Sequence, residues 1–224
     1  MTTRDQAVSV MQGWVGLSKA DLSHLPIIDI YNSQYELPRG YAVQPWDDYC
    51  ATAVSAVFVR LDICDIAPTE CSVQKLIEAF QAIGRWVEDD SFTPRPGDLL
   101  CYDWNDDGKG DCIGWADHVG MVEAVDGDTI YMIEGNMAGG VVGRKPMAVN
   151  ARYIRGYCCP DYESKDIGHD PIQDEIDALP DWSRPTIQKL HDRGIMEGDG
   201  QTLGLTHDLT RVVVMLDKAG VWDK

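Results

Sequence analysis

Apolar positions recur at approximately helical spacing in the first stretch, Asp5 to Leu17, at Ala7, Val8, Val10, Met11, Trp14, Val15 and Leu17. From Asp21 to Pro45 the chain is turn-rich, with Pro26, Pro38, Gly40 and Pro45 punctuating short apolar pieces such as Ile27–Ile30. A nearly continuous apolar run from Trp46 to Arg60 predicts a central helix, begun by Asp47 or Asp48 as an acidic cap. Another helix is expected from Ser72 to Trp86, after which Pro94-Arg-Pro-Gly97 breaks the chain. The pattern then changes to short strands: Asp98–Tyr102, His118–Val125, Thr129–Glu134 and Arg152–Tyr157. Helices first and strands after is the order of an α+β domain with an antiparallel sheet and N-terminal helices.

The tail reads differently. Asp161 to Ala178 is rich in Asp, Glu, Gly and Pro and reads as a linker. Beyond it, Ser183 as cap, Pro185 in the first turn and Gly194 as stop frame one helix, and a second is expected over about Asp208 to Ala219. The expected organisation is a catalytic-sized domain over 1–160, a linker over 161–180 and a small helical hairpin over 181–224. Such a hairpin is marginal alone.

Composition narrows the partners. The 224 residues carry 37 Asp or Glu against 19 Lys or Arg, a formal charge of −18. That excess of acid argues against a nucleic-acid backbone as partner, since affinity for phosphates comes from Lys and Arg. It equally disfavours an anionic membrane surface. The best apolar run, Ala51 to Ile63, is interrupted by Thr52, Ser55, Arg60 and Asp62, so no membrane insertion is expected. Met1-Thr-Thr-Arg-Asp-Gln lacks the basic and apolar regions of a secretory leader, and synthesis in the cytoplasm is the expectation. Seven cysteines, an odd number without a C-x-x-C pair, point neither to a disulfide framework nor to a zinc ribbon. At least one thiol is then free.

Cys50 falls near the expected start of the central helix, where unpaired N–H groups and the macrodipole favour an anion. The competing reading is a small buried core residue. His118 opens one strand, and Glu134 and Asn136 close the next, so all three come to one end of the sheet. Together they have the parts of a cysteine-hydrolase site: nucleophile, base and orienter. The arrangement depends on register. A two-residue loop at Asp126-Gly127 sets Glu134 and Asn136 on the face opposite His118, whereas a three-residue loop with a bulge brings them to the same face. The odd loop is therefore expected.

Four motifs in order, Trp46-Asp-Asp-Tyr-Cys50, Arg95-Pro-Gly-Asp98, Asp117-His-Val-Gly-Met-Val-Glu123 and Ile133-Glu-Gly-Asn136, resemble the CHAP family of peptidoglycan hydrolases, relatives of the NlpC/P60 peptidases. The resemblance covers roughly residues 5 to 160 and is closest to phage endolysin versions. It implies a papain-like fold and hydrolysis of an amide bond in bacterial peptidoglycan, as N-acetylmuramoyl-L-alanine amidase or endopeptidase, on the cell wall after release. Carried over by position, Cys50 is the nucleophile, His118 the base, and Glu134 and Asn136 their polar partners. Trp46, Trp115 and Asp117 are then expected to contact substrate. Two rival readings are a non-catalytic wall-binding protein on the same fold and a papain-like protease acting on proteins.

Two further patterns stand apart. Asp103, Asn105, Asp107, Lys109 (through its carbonyl) and Asp111 match the spacing of a calcium loop, but Gly114 stands where its bidentate Glu belongs. A weak Ca²⁺ site and a solvated acidic turn are equal readings, and no cofactor is required. The tail, from Trp182 through Thr210-Arg211, resembles a single S-layer-homology unit, which implies either binding of wall polymer or self-association.

Overall fold

The computed structural model describes residues 2–106, 112–166, 171–199 and 202–222. It divides into two compact units, Met1–Asp166 and Ile167–Lys224. Among the described residues no helix is long and apolar enough to cross a membrane.

The first unit opens with helix α1, Thr3–Trp14, which buries Ala7, Val8, Met11 and Trp14. It starts two residues before the apolar pattern because Thr2 and Asp5 form a reciprocal capping box. The apolar piece around Ile27 is a helix, α2 (Leu25–Asn32), and Pro26 is tolerated because it lies in the first turn. Helix α3 spans Cys50–Arg60 and is buried at every position from Cys50 to Phe58, as a central helix requires.

The acidic cap expected for α3 does not form. Tyr49 holds the cap position, and its side chain makes no capping bond to the helix. Asp47 instead accepts from the Tyr41 hydroxyl at 2.7 Å and the Gln44 N–H at 2.8 Å, while Asp48 receives the Asn136 amide at 2.8 Å. With both carboxylates turned to the preceding loop and the neighbouring strand, the helix begins later and Cys50 becomes its first residue.

Helix α4, Val73–Ala82, stops short of the expected Trp86 because Gly84 turns the chain through a positive φ. Trp86–Val87 then forms strand β1. Strands β2 (Leu99–Tyr102), β3 (His118–Asp126), β4 (Thr129–Met137), β5 (Val141–Ala148) and β6 (Ile154–Cys158) complete one sheet in the order β1-β6-β2-β3-β4-β5, every neighbouring pair antiparallel. The unit is α+β, as expected. Strand β5 was not expected; it lies at the sheet edge, where Pro146 leaves no central ladder bond unmade.

One face of the sheet carries Leu99, Cys101, Val119, Met121, Ile133 and Cys158 into the main core with the helices. The other carries Leu100, Tyr102, Val122, Ile130, Met132, Ile154 and Tyr157 in a second cluster. Gly135 lets α3 approach β4 closely, since a Cβ there would come within 2.6 Å of the Ala53 Cβ.

The hairpin corrects the expected loop. Asp126 pairs with Thr129, so Gly127-Asp128 is a two-residue loop, not an odd one. The one-residue shift comes from mid-strand: Ala124 pairs with Tyr131 but Val122 pairs with Met132, leaving Glu123 as a bulge. Arg144 grips the bulged Glu123 through two bonds of 2.7 and 2.8 Å, and Gln12 of α1 adds a third at 2.9 Å. The parity required to put Glu134 beside His118 is thus met by a different device.

The span expected to be a linker is mostly helix. Helix α5, Tyr162–Asp166, belongs to the first unit, with the Tyr162 hydroxyl on the Gly97 carbonyl at 3.0 Å and Asp166 accepting from Thr3. Helix α6, Pro171–Asp177, places Ile172 and Ile176, one turn apart, in the core of the second unit. Acidic composition concealed these apolar pairs. The second unit also contains α7 (Arg184–Asp192) and α8 (His207–Lys218), close to the expected spans, so its described residues form three helices rather than a hairpin. Ser183 occupies the cap position of α7, but its hydroxyl bonds the Pro180 carbonyl instead of capping.

The α3–β4 contact is tested by Gly135→Ala. The added methyl should lower unfolding free energy by about 1–3 kcal/mol in chemical denaturation. An unchanged midpoint would contradict the close approach.

Candidate active site

Cys50, the first residue of α3, is 8% exposed. His118 is the first residue of β3 and lies directly across from Tyr102, the last of β2, so the two side chains share a face. Beyond the Glu123 bulge, Glu134 of β4 comes to that same face. His118 Nε2 is 3.1 Å from Glu134 Oε2, and the Tyr102 hydroxyl donates to Glu134 Oε1 at 2.5 Å. Both oxygens of a carboxylate that is only 2% exposed are therefore occupied. With Nε2 committed to Glu134, Nδ1 is the ring nitrogen left to face Cys50, whose sulfur is near enough to act on the charge of the ring.

Gly120 makes the room. A Cβ at this position would fall 2.6 Å from Glu134 Cγ and 3.2 Å from the Ile133 carbonyl oxygen. The His-Val-Gly order in the sequence thus has a steric reason: the residue two beyond His118 on the same face has to be bare.

The charges settle as an ion pair. Burial works to lower the His118 pKa, but the hydrogen bonds to Cys50 and Glu134, and the negative charge of both, raise it from 6.5 to about 9. Burial works to raise the Glu134 pKa, and the bonds from His118 and Tyr102 overcome it and hold the carboxyl below its ordinary 4.5. Tyr102 is pushed well above its ordinary value by burial and by Glu134, so it remains a donor. The stabilisation from His118 is full below 6.5 and is lost as pH rises through about 9. That from Glu134 is full above 4.5 and is lost as pH falls through its lowered value.

The remaining expected residues have other places. Asn136, in a left-handed conformation with φ 56°, donates to Asp48 and not to His118, so it braces the segment ahead of Cys50. Asp117 accepts from the Trp104 N–H at 2.9 Å and the Asn105 amide at 3.3 Å, fastening the loop after β2. Trp46 and Trp115 are strongly exposed, and neither lines the cleft at His118. That cleft, about 330 Å³, is lined by Trp104, His118, Glu134, Asn136, Met137, Ala138 and Lys145.

Of the expected calcium ligands, Asp107, Lys109 and Asp111 lie outside the described residues. Asp103 Oδ1 accepts the Asn105 N–H at 2.9 Å, an Asx-type turn bond. Gly114 sits against the other oxygen, where a Cβ would come within 1.9 Å, so the residue in place of the bidentate Glu is a spacer for Asp103. Among the described residues no group of three or more His, Cys, Asp or Glu side chains is placed to hold a metal ion.

Sequence reasoning missed Tyr102, Trp104 and Lys145. Tyr102 becomes visible only through the β2–β3 pairing, and Lys145 stands on the unexpected strand β5.

A thiol at a helix start, an imidazole on an adjoining strand and a buried carboxylate behind it, on an α+β papain-like scaffold, are the parts of a nucleophile–base–orienter site. A CHAP domain is found at residues 39–136, a segment that contains Cys50, His118, Glu134 and Asn136. No curated protein matches the chain. Among solved structures, the crystal structure of Ly7917 matches with 17% identity and a TM-score of 0.42, over 72% of this chain and 63% of that one. The crystal structure of Ly7917 with the hydrolyzing product of MDP matches with 16% identity and a TM-score of 0.41, over 70% and 62%. The chain therefore spans less than two thirds of the solved structures it matches.

In nitrogen-edited NMR spectra, His118 should titrate with a midpoint of about 9, and Glu134→Gln should lower that midpoint. A midpoint near 6.5 in the unaltered protein would contradict the ion pair.

Proposed function

We propose that this protein is a peptidoglycan hydrolase of the endolysin type that cleaves an amide bond of the bacterial cell-wall peptide, as an N-acetylmuramoyl-L-alanine amidase or an endopeptidase, with Cys50 as nucleophile. The observation that carries the reading is the bonded series Tyr102–Glu134–His118, with Cys50 beside the imidazole at the start of α3, within the CHAP segment.

The chemistry follows from the charges. With His118 protonated near neutral pH beside Cys50, the imidazolium charge is available to stabilise the nucleophilic thiolate. Sγ attacks the amide carbonyl carbon, and the oxygen gains the negative charge. The backbone N–H of Cys50, at the first position of α3 and so without a partner in the helix ladder, is the donor that stabilises it. His118 then gives its proton to the departing amine as the C–N bond breaks, leaving a thioester and a neutral imidazole. Water attacks the thioester, His118 accepts its proton, and release of the carboxylic product restores the ion pair. Glu134 keeps the ring in place and stabilises its positive charge throughout, while Tyr102 holds Glu134.

The C-terminal unit is proposed as a module for wall binding or self-association. Leu209, Val212, Met215 and Leu216 of α8 are exposed and supply apolar surface for either role.

Suspensions of purified peptidoglycan test the proposal. The intact protein should clear turbidity and release new amino groups, while Cys50→Ala should lose clearing by at least about a thousandfold. Equal clearing by Cys50→Ala would reject the nucleophile, and absence of new amino groups would reject amide hydrolysis.

A further inference from the structure

The cleft at His118 contains a cation that the hydrolytic steps leave unused. Lys145 lies on β5 across from Met132 of β4, and hence on the same face as Glu134 and His118. Its Nζ stands 4.3 Å from the Trp104 ring centroid and 4.9 Å from that of Tyr102. Those rings are themselves stacked, with centroids 4.7 Å apart and planes inclined by 17°. The ammonium makes no hydrogen bond or ion pair with any described residue.

That is unusual company for a cation in a chain of net charge −18. Arg4, Arg39, Arg85, Arg144 and Arg155 all close on carboxylates. Lys145 has a carboxylate nearby, since Glu134 feels its charge, but both oxygens of Glu134 are already bonded by Tyr102 and His118. An ammonium has three N–H donors, and the ring faces hold its charge without consuming them. Lys145 therefore presents unspent donors to the same cleft that holds His118, Trp104 and Asn136. With His118 protonated, the cleft carries two positive charges and one satisfied carboxylate on an otherwise acidic molecule.

Resting on the hydrolase reading above, we propose that Lys145 is a specificity-determining residue that binds a free carboxylate of the peptide substrate beside the scissile amide, with Trp104 as the flat apolar floor under the same segment. Trp104 is 40% exposed, and its indole is stacked on Tyr102 and meets Tyr153 edge-on, so the ring is both accessible and held in orientation. Amidation of that substrate carboxylate removes the charge and leaves only a neutral carbonyl oxygen to accept from the ammonium. Discrimination then comes from the lost charge–charge attraction, which makes a hydrogen bond to a charged partner stronger than one to a neutral carbonyl.

Two peptidoglycan fragments, identical except that the side-chain carboxylate nearest the scissile bond is free in one and amidated in the other, separate the possibilities. The unaltered protein should favour the free acid by about tenfold in kcat/KM, chiefly through KM. Lys145→Met should lose this preference while cleaving the amidated fragment at an unchanged rate, and Lys145→Arg should retain it. Equal loss on both fragments by Lys145→Met would overturn the proposal and assign Lys145 a structural role, as would an unchanged preference. Equilibrium binding of both fragments to Cys50→Ala provides a measure independent of turnover: tighter binding of the free acid supports Lys145, and equal binding overturns it. If neither fragment is cleaved by the unaltered protein, the hydrolase reading fails by itself, and the binding comparison still decides the role of Lys145.

Discussion

A buried carboxylate governs this structure. Glu134 is almost wholly removed from water, and an unpartnered charge in such a place costs about 3–5 kcal/mol. Its two oxygens are satisfied from two different strands, by the Tyr102 hydroxyl from β2 and the His118 ring from β3. Three strands must therefore be in one register for the fold to tolerate the residue at all. The same bonds that remove the cost of burial also charge the imidazole and orient it, so stability and chemistry rest on one set of contacts.

Several otherwise separate features serve that register. The Glu123 bulge corrects the parity that the two-residue loop leaves wrong, and its carboxylate is fixed by Arg144 and Gln12, with a pKa lowered first by the bond to Arg144. Gly120 vacates the volume that Glu134 fills, and Gly135, one residue further along β4, admits α3 on the opposite face. Cys50 is delivered by the same approach: Tyr49 bonds the Gly140 carbonyl at 2.8 Å, and Asp48 bonds Asn136, so the two residues before the thiol are tied to the end of β4 and to the turn that follows it. An N-terminal start at Cys50 rather than two residues earlier is a consequence of those ties.

Much of this was legible along the chain. The order of helices and strands, the central helix and the convergence of Cys50, His118 and Glu134 all follow from periodicity and turn signals, because each is a local pattern repeated over several residues. What escaped is non-local. A bulge at Glu123 leaves no mark distinguishing it from any exposed strand glutamate, and only the pairing reveals it. Tyr102 looked like the end of a strand until β3 was laid beside it. Strand β5 was hidden by Arg144, Lys145 and Pro146, residues acceptable only on an edge, and with it went the lysine of the cleft. Asp47, Asp48 and Ser183 were all plausible caps by composition, yet each found a competing partner outside its helix. Asn136 had the residue type of an orienter, but Glu134 occupies the ring and Asn136 is left to secure the backbone.

The central claim is that the Tyr102–Glu134–His118 series concentrates thiol reactivity at Cys50. The most direct measurement is the order in which the seven cysteines react with iodoacetamide at pH 6.5, followed by peptide mass mapping. Exposure alone predicts that Cys64 reacts first, since it is exposed and Cys50 is buried. The ion pair predicts the reverse: Cys50 is alkylated first, and His118→Ala removes its advantage. Labelling of Cys64 ahead of Cys50, or an unchanged Cys50 rate in His118→Ala, would contradict the account.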